Sequence, residues 1–263
     1  MLAAVKRLCL ALLLPLAIGA CDSGRVPAEP SSPGSPAAPA RAAQARAPEA
    51  DLSFIERVTA GADREARLPM IVAIHGLGDR PEAFIGVFDG FATPARIVSL
   101  RAPDPWGDGF AWFPFRPNDS VETRAQGIDR AAARVVTTMR SLVARRPTRG
   151  KPIVTGFSQG GMLSFAIAAE HPELVRAAIP VSGVLPEPLF GSIRPGAAGP
   201  RIVALHGEAD ERVPLDPTRR GVAALVGKGF DARLETFPGV GHQIPPPVRR
   251  RWLELLTEEA RSP

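Results

Sequence analysis

From Pro69 onward, short apolar runs rich in β-branched residues alternate with longer amphipathic stretches. Met70–His75 (MIVAIH), Arg96–Leu100 (RIVSL), Pro152–Phe157 (PIVTGF), Ala177–Ser182 (AAIPVS) and Arg201–His206 (RIVALH) are almost continuously apolar, the pattern of strands buried on both faces. Ala232–Phe237 (ARLETF) alternates instead, as a strand at a sheet edge does. Val121–Arg145 carries Ile128, Ala132, Val135, Val136, Met139 and Leu142 at helical spacing, and Gln159–Glu170, Pro217–Lys228 and Val248–Glu259 read as further helices. Strand then helix, repeated, predicts an α/β fold: a mostly parallel, doubly wound sheet with helices on both faces. Ligands of such sheets sit beyond the carboxyl ends of the strands, so the residues just after each strand matter most.

The first fifty residues follow another pattern. Lys6 and Arg7 precede an apolar run, Leu8 to Ile18, that ends in Gly19-Ala20-Cys21. A basic start, a short apolar stretch and small residues at a cut describe a secretory signal peptide, and the run is too short for an ordinary membrane-spanning helix. Ile18-Gly19-Ala20-Cys21 resembles the lipobox of bacterial lipoproteins, which implies that Cys21 is acylated and becomes the mature N-terminus. Asp22 to Ala50 is rich in Pro and Ala, too poor in apolar side chains to offset its ordering entropy. The expected organisation is a signal peptide over 1–20, a disordered tether over 21–50 and one folded domain over 51–263. The expected location is the bacterial cell envelope, on the extracytoplasmic side of a membrane that holds the lipid anchor.

Composition narrows the chemistry. Of 263 residues, 45% are hydrophobic and 22% charged, ordinary for a globular domain. The net charge of +5 comes from scattered arginines, without the basic stripe and interleaved aromatics of a nucleic-acid binder. Cys9 and Cys21 are the only cysteines, so neither a disulfide framework nor a CxxC metal site is expected, and the chemistry below calls for no metal or cofactor. Gly221 to Lys228 has glycines and a lysine, but not at phosphate-loop spacing, and reads as a helix that ends at glycine.

The strongest motif follows the strand at 152–155. Gly156-Phe157-Ser158-Gln159-Gly160-Gly161 is G-x-S-x-G between a strand and an apolar helix, the context in which it forms a nucleophile elbow. The turn forces small residues two before and two after the serine. It exposes Ser158 Oγ and aims the Gln159 N–H at a developing oxyanion. Serine needs a base, and the chain has four histidines. His75 comes before the serine, His171 looks like the cap of the elbow helix, and His206 ends a strand. His242, in the loop Gly239-Val240-Gly241-His242, is the candidate base. In this order of elements the acid follows the next-to-last strand, which offers Glu208, Asp210 and Asp216. Asp210 is placed to turn back towards His242, Glu208 is the fallback, and Asp216 before Pro217 resembles a helix N-cap. The small residues of His75-Gly76-Leu77-Gly78-Asp79 let the Leu77 N–H serve as the second oxyanion donor, with Asp79 a cap for a helix near Pro81.

Together, HGLGD at 75–79, GFSQGG at 156–161, HGEADERVP at 206–214 and GVGH at 239–242 resemble the phospholipase/carboxylesterase family of α/β-hydrolases, which includes the acyl-protein thioesterases. The resemblance runs from Leu68 to Leu256. It implies the α/β-hydrolase fold, a triad of Ser158, Asp210 and His242, oxyanion donors at Leu77 and Gln159, and a small ester or thioester as substrate. The family usually carries Trp-Phe-Asp mid-chain, where this sequence has Trp112-Phe113-Pro114. Trp106, Trp112 and Phe113, in an aromatic-rich loop with Phe110 and Phe115, are candidate walls of an acyl pocket or, equally, the packing of a cap. A peptidase or polyester depolymerase on the same fold, and an inactive envelope binding protein, are the competing readings.

Overall fold

In the computed structural model the described residues are 51–116, 118–196 and 199–262; the signal segment, Cys21 and the tether lie outside them. In chain order the elements are β1 (Phe54–Val58), β2 (Met70–Ile74), α1 (Pro81–Phe84), β3 (Arg96–Leu100), β4 (Asp104–Trp106), β5 (Gly109–Ala111) and α2 (Val121–Arg145). They continue with β6 (Ile153–Phe157), α3 (Gln159–Glu170), β7 (Ala177–Val181), β8 (Arg201–Gly207), α4 (Leu215–Gly227), β9 (Ala232–Phe237) and α5 (Pro246–Arg261). Seven strands form one sheet in the order β1-β3-β2-β6-β7-β8-β9. Every neighbouring pair is parallel except β1 with β3, and β4 and β5 make a separate antiparallel hairpin.

Burial on both faces explains the continuous apolar runs. Along β2, Met70, Val72 and Ile74 pack towards α2 and α3, while Ile71 and Ala73 pack towards α1 and α5. On the first face α2 contributes the stripe Ile128, Ala132, Val135, Met139 and Leu142. Ser120 caps its start by accepting the Thr123 N–H at 3.1 Å. On the second face Trp252 of α5 is fully buried, and its Nε1–H donates to Thr155 Oγ1 at 2.7 Å. Residues 159–169 of α3 are buried all round, so the elbow helix is a core element rather than a surface one. Strand β9 lies at the sheet edge, as its alternation predicts, and is half-buried along its whole length.

Two elements depart from the sequence reading. β1 is an edge strand in which Glu56 faces inward and binds Arg96 Nη1 at 2.5 Å and Arg146 Nε at 2.9 Å. Its charged centre hides it from an apolar-run search. Helix α4 begins at Leu215, so Asp216 is no N-cap; it lies in the first turn and pairs with Arg219 at 2.8 Å. The glycine stop of α4 is present at Gly229, with φ +88°, where the Phe230 N–H reaches the Leu225 carbonyl at 3.1 Å.

At the end of α3 the Glu170 carboxyl is pushed up to about 7, first by burial and then by Asp129, with Arg194 opposing. Its Oε1 has no hydrogen-bond partner among the described residues. The folded state therefore holds a proton that the unfolded state, at an ordinary 4.5, releases. Stability from this group is complete below that ordinary value and is lost as pH rises through 7. Glu170→Gln should reduce the drop in urea midpoint between pH 5.5 and pH 8 relative to wild type; an unchanged drop would show that the carboxyl ionises normally.

Candidate active site

The β6–α3 turn sets the geometry. Ser158 adopts φ 57° and ψ −116°, a conformation that ordinary side chains avoid. It is held there because its N–H donates to the Val181 carbonyl at 2.9 Å and its carbonyl accepts the Met162 N–H at 3.0 Å. A Cβ on Gly160 would sit 1.9 Å from the Ile74 carbonyl oxygen, so only glycine lets α3 start directly against the end of β2. That contact brings the Leu77 loop beside Ser158. The backbone N–H groups of Leu77 and Gln159 have no acceptor among the described residues, and both residues line the cavity at Ser158.

His242 reaches the same point from the loop between β9 and α5. Its Nε2 lies 2.9 Å from Ser158 Oγ and its Nδ1 lies 2.7 Å from Asp210 Oδ2. The network sets the tautomer: Ser158 Oγ–H donates to Nε2, and Nδ1–H donates to the carboxylate. Its ring packs on Phe157 with centroids 4.8 Å apart. Asp210 is buried, and its Oδ1 accepts the N–H groups of Arg212 at 3.0 Å and Val213 at 2.9 Å. The β8–β9 ladder continues past the strand ends, through the Glu208 N–H to Phe237 and the Ala209 N–H to Val240. That continuation ties the acid loop to the histidine loop. Glu208 points elsewhere and accepts the Thr236 hydroxyl at 2.7 Å.

The other buried histidines are spoken for. His206 Nε2–H donates to the Val213 carbonyl at 2.8 Å, and burial pushes its pKa down. His75 Nδ1–H donates to the Gly76 carbonyl at 2.7 Å, its Nε2 accepts the Ala102 N–H at 3.2 Å, and burial lowers it too. His171 is the C-cap residue of α3, as expected. Among the described residues, no three His, Cys, Asp or Glu side chains gather as metal ligands would.

The aromatic loop departs from the pocket reading. Trp112 and Phe113 are buried at 3% and 2% exposure and do not line the cavity, while Trp106 is 44% exposed on the hairpin. Phe115 is the loop aromatic that faces Ser158 across a cavity of about 250 Å³. Trp112 and Phe113 hold the two turns together instead. Trp112 Nε1–H donates to the His75 carbonyl at 2.9 Å, and the Trp112 N–H donates to Gln159 Oε1 at 3.0 Å. Gln159 Nε2 then donates to the Phe113 carbonyl at 2.9 Å. The hairpin adds the Gly78 N–H to Phe110 at 2.8 Å and the Phe110 N–H to Asp79 at 3.0 Å. Asp79 is therefore not a helix cap: Arg80 occupies that position, and Asp79 lines the cavity. The side chain of Gln159 was missed in the sequence because the elbow motif leaves that position unspecified.

A serine, an imidazole and a buried carboxylate in one hydrogen-bonded line, with two free N–H groups alongside, can transfer an acyl group. The family model for Phospholipase/Carboxylesterase matches residues 55–250. The chain belongs to the phospholipase/carboxylesterase family. Two rice proteins (Oryza sativa subsp. japonica) are among the relatives of this family member. One, described as a probable inactive carboxylesterase, is 27% identical over 200 residues, covering 69% of this chain and 80% of that protein. The other, a probable carboxylesterase, is 26% identical over 202 residues, covering 66% and 71%. Among solved structures, the esterase PE8 superposes with a TM-score of 0.71 at 25% identity, covering 80% of this chain and all 100% of that one. The α/β-hydrolase fold is thus shared along with the family.

Gly160→Ala tests the close approach. The added methyl meets backbone that cannot rotate away, so the variant should lose roughly 1–3 kcal/mol of stability or more by urea unfolding, and activity with it. A variant as stable and active as wild type would mean that α3 and β2 are not in contact at that point.

Proposed function

We propose that this protein hydrolyses carboxylic esters or thioesters through an acyl intermediate on Ser158. The observation that carries the reading is the unbroken line Ser158–His242–Asp210, with links of 2.9 and 2.7 Å. His242 Nε2 takes the Ser158 proton as Oγ bonds to the carbonyl carbon. The oxygen that gains charge is met by the N–H groups of Leu77 and Gln159. Collapse expels the alcohol or thiol, which leaves with the proton from His242 Nε2. Water, deprotonated by the same nitrogen, then releases the acid and restores Ser158. Asp210 fixes the tautomer and stabilises the imidazolium.

One rice relative carries the description of a probable inactive carboxylesterase, which makes inactivity the competing reading. Inactivity requires a missing or misplaced group, whereas here all three side chains are hydrogen-bonded. The lipobox-like sequence ending at Cys21 supports a lipid-anchored enzyme of the cell envelope, with the domain held off the membrane by the Pro-rich tether.

Wild type should react with a fluorophosphonate probe. Ser158→Ala should lose that labelling and roughly 10⁴-fold or more in kcat while keeping its fold. Asp210→Asn should fall by several orders of magnitude, as the wrong tautomer does elsewhere, and Glu208→Gln should stay near wild type. Undiminished labelling of the alanine variant would remove the assignment; the reverse ranking of the carboxylates would move the acid to Glu208. Cys21→Ser should prevent acylation and release the protein from the membrane fraction, and retention there would argue against the anchor.

A further inference from the structure

A second cavity, of about 240 Å³, adjoins the one at Ser158, and the two share Phe115, Met162, Arg212 and Val213. Its lining is largely apolar, with Ile128, Val184 and Leu185 among others, while its charged groups are Arg124, Arg212, Arg220 and Glu187. Glu187 is already taken, since Arg220 Nε donates to it at 2.6 Å. Two guanidiniums remain without a carboxylate among the described residues. Arg124 stacks 4.7 Å from the Phe115 ring centroid, and its Nη2 makes only a 3.5 Å bond to the Arg116 carbonyl. Its Nε is buried with no partner among the described residues. The side chain of Arg212 makes no ion pair or hydrogen bond there either; only its backbone N–H is used, on Asp210. The carboxylate that lines the first cavity is Asp79, whose Oδ1 accepts the Arg80 N–H at 2.7 Å.

An apolar cavity rimmed by unpaired guanidiniums suits a chain that is greasy along its length and anionic at its end. The leaving oxygen must face His242 Nε2 to collect its proton. The second cavity contains no residue of the His242 loop and adjoins the first at Phe115, Met162, Arg212 and Val213, so the arm it receives is the acyl one. We propose that the second cavity is an acyl subsite selective for a terminal anion, so that the preferred substrates are esters or thioesters of short acids bearing a far-end carboxylate. At about 30 Å³ per water-sized group, the cavity holds an acyl arm of about eight heavy atoms. This rests on the acyl-serine reading above and adds to it the substrate class.

The test compares p-nitrophenyl esters of one chain length: the hydrogen adipate, its methyl-capped form, and the cationic 6-aminohexanoate. At low salt kcat/KM for the free carboxylate should exceed that for the capped ester by roughly tenfold, about the worth of one charge-assisted hydrogen bond. The ratio should shrink as salt screens the rim, and fall towards one in Arg124→Gln and Arg212→Gln. Each ratio is taken within one variant, so general damage cancels. A ratio near one in wild type, or a preference for the amine, overturns the proposal while leaving esterase activity standing. So does an equal preference for hexanoyl esters whose carboxylate is on the alcohol arm. Binding to Ser158→Ala gives a readout without turnover. Monomethyl adipate should bind more tightly than dimethyl adipate, and equal binding overturns the proposal even if no ester is cleaved.

Discussion

Gly160 meets Ile74 backbone to backbone, and the geometry of the site depends on that contact. The start of α3 lies against the carboxyl end of β2 with no side chain between them. Two amide N–H groups from segments some eighty residues apart in sequence therefore face the same point beside Ser158. Trp112 and the amide of Gln159 then clamp the arrangement from above, binding the His75 carbonyl on one side and the aromatic loop on the other. The parts of the site are fastened to main chain, which has few ways to relax.

The charge arrangement depends on the same fastening. Asp210 is buried, yet it accepts two N–H groups and the imidazole, so its oxygens are satisfied without water. His206 lies close by, 3.6 Å from the same carboxylate, but gives its Nε2–H to Val213, and burial holds its pKa below the usual histidine value. Two imidazoles beside one carboxylate thus have separate tasks: one supports the loop and the other faces the serine.

Much of this is legible in the sequence because parallel strands buried on both faces cannot hide their apolar runs, and because G-x-S-x-G encodes a steric requirement. Ser158, Asp210 and His242 follow from which strand end carries which residue. β1 is not legible, since its central Glu56 is buried against arginines that come from β3 and from the end of α2. Nor is the task of Trp112 and Phe113. Aromatic composition is the same for a pocket wall and for a strut, and only the partners of Trp112, 37 and 47 residues away, distinguish them. The start of α4 shifted for a similar reason: Pro217 fits the first turn as well as the first position, so the cap moved upstream to Pro214.

Both groups proposed to meet the oxyanion are main-chain N–H groups, one on Leu77 and one on Gln159. Exchange of the Leu77 side chain leaves its donor in place, and only proline would delete it. The side chain of Leu77 is therefore free to vary with the shape of the substrate, while the charge-stabilising element stays constant beneath it. A lineage carrying this site can change what it accepts without passing through forms that have lost the chemistry. Tolerance to substitution at position 77 would then mark the heart of the site rather than its periphery.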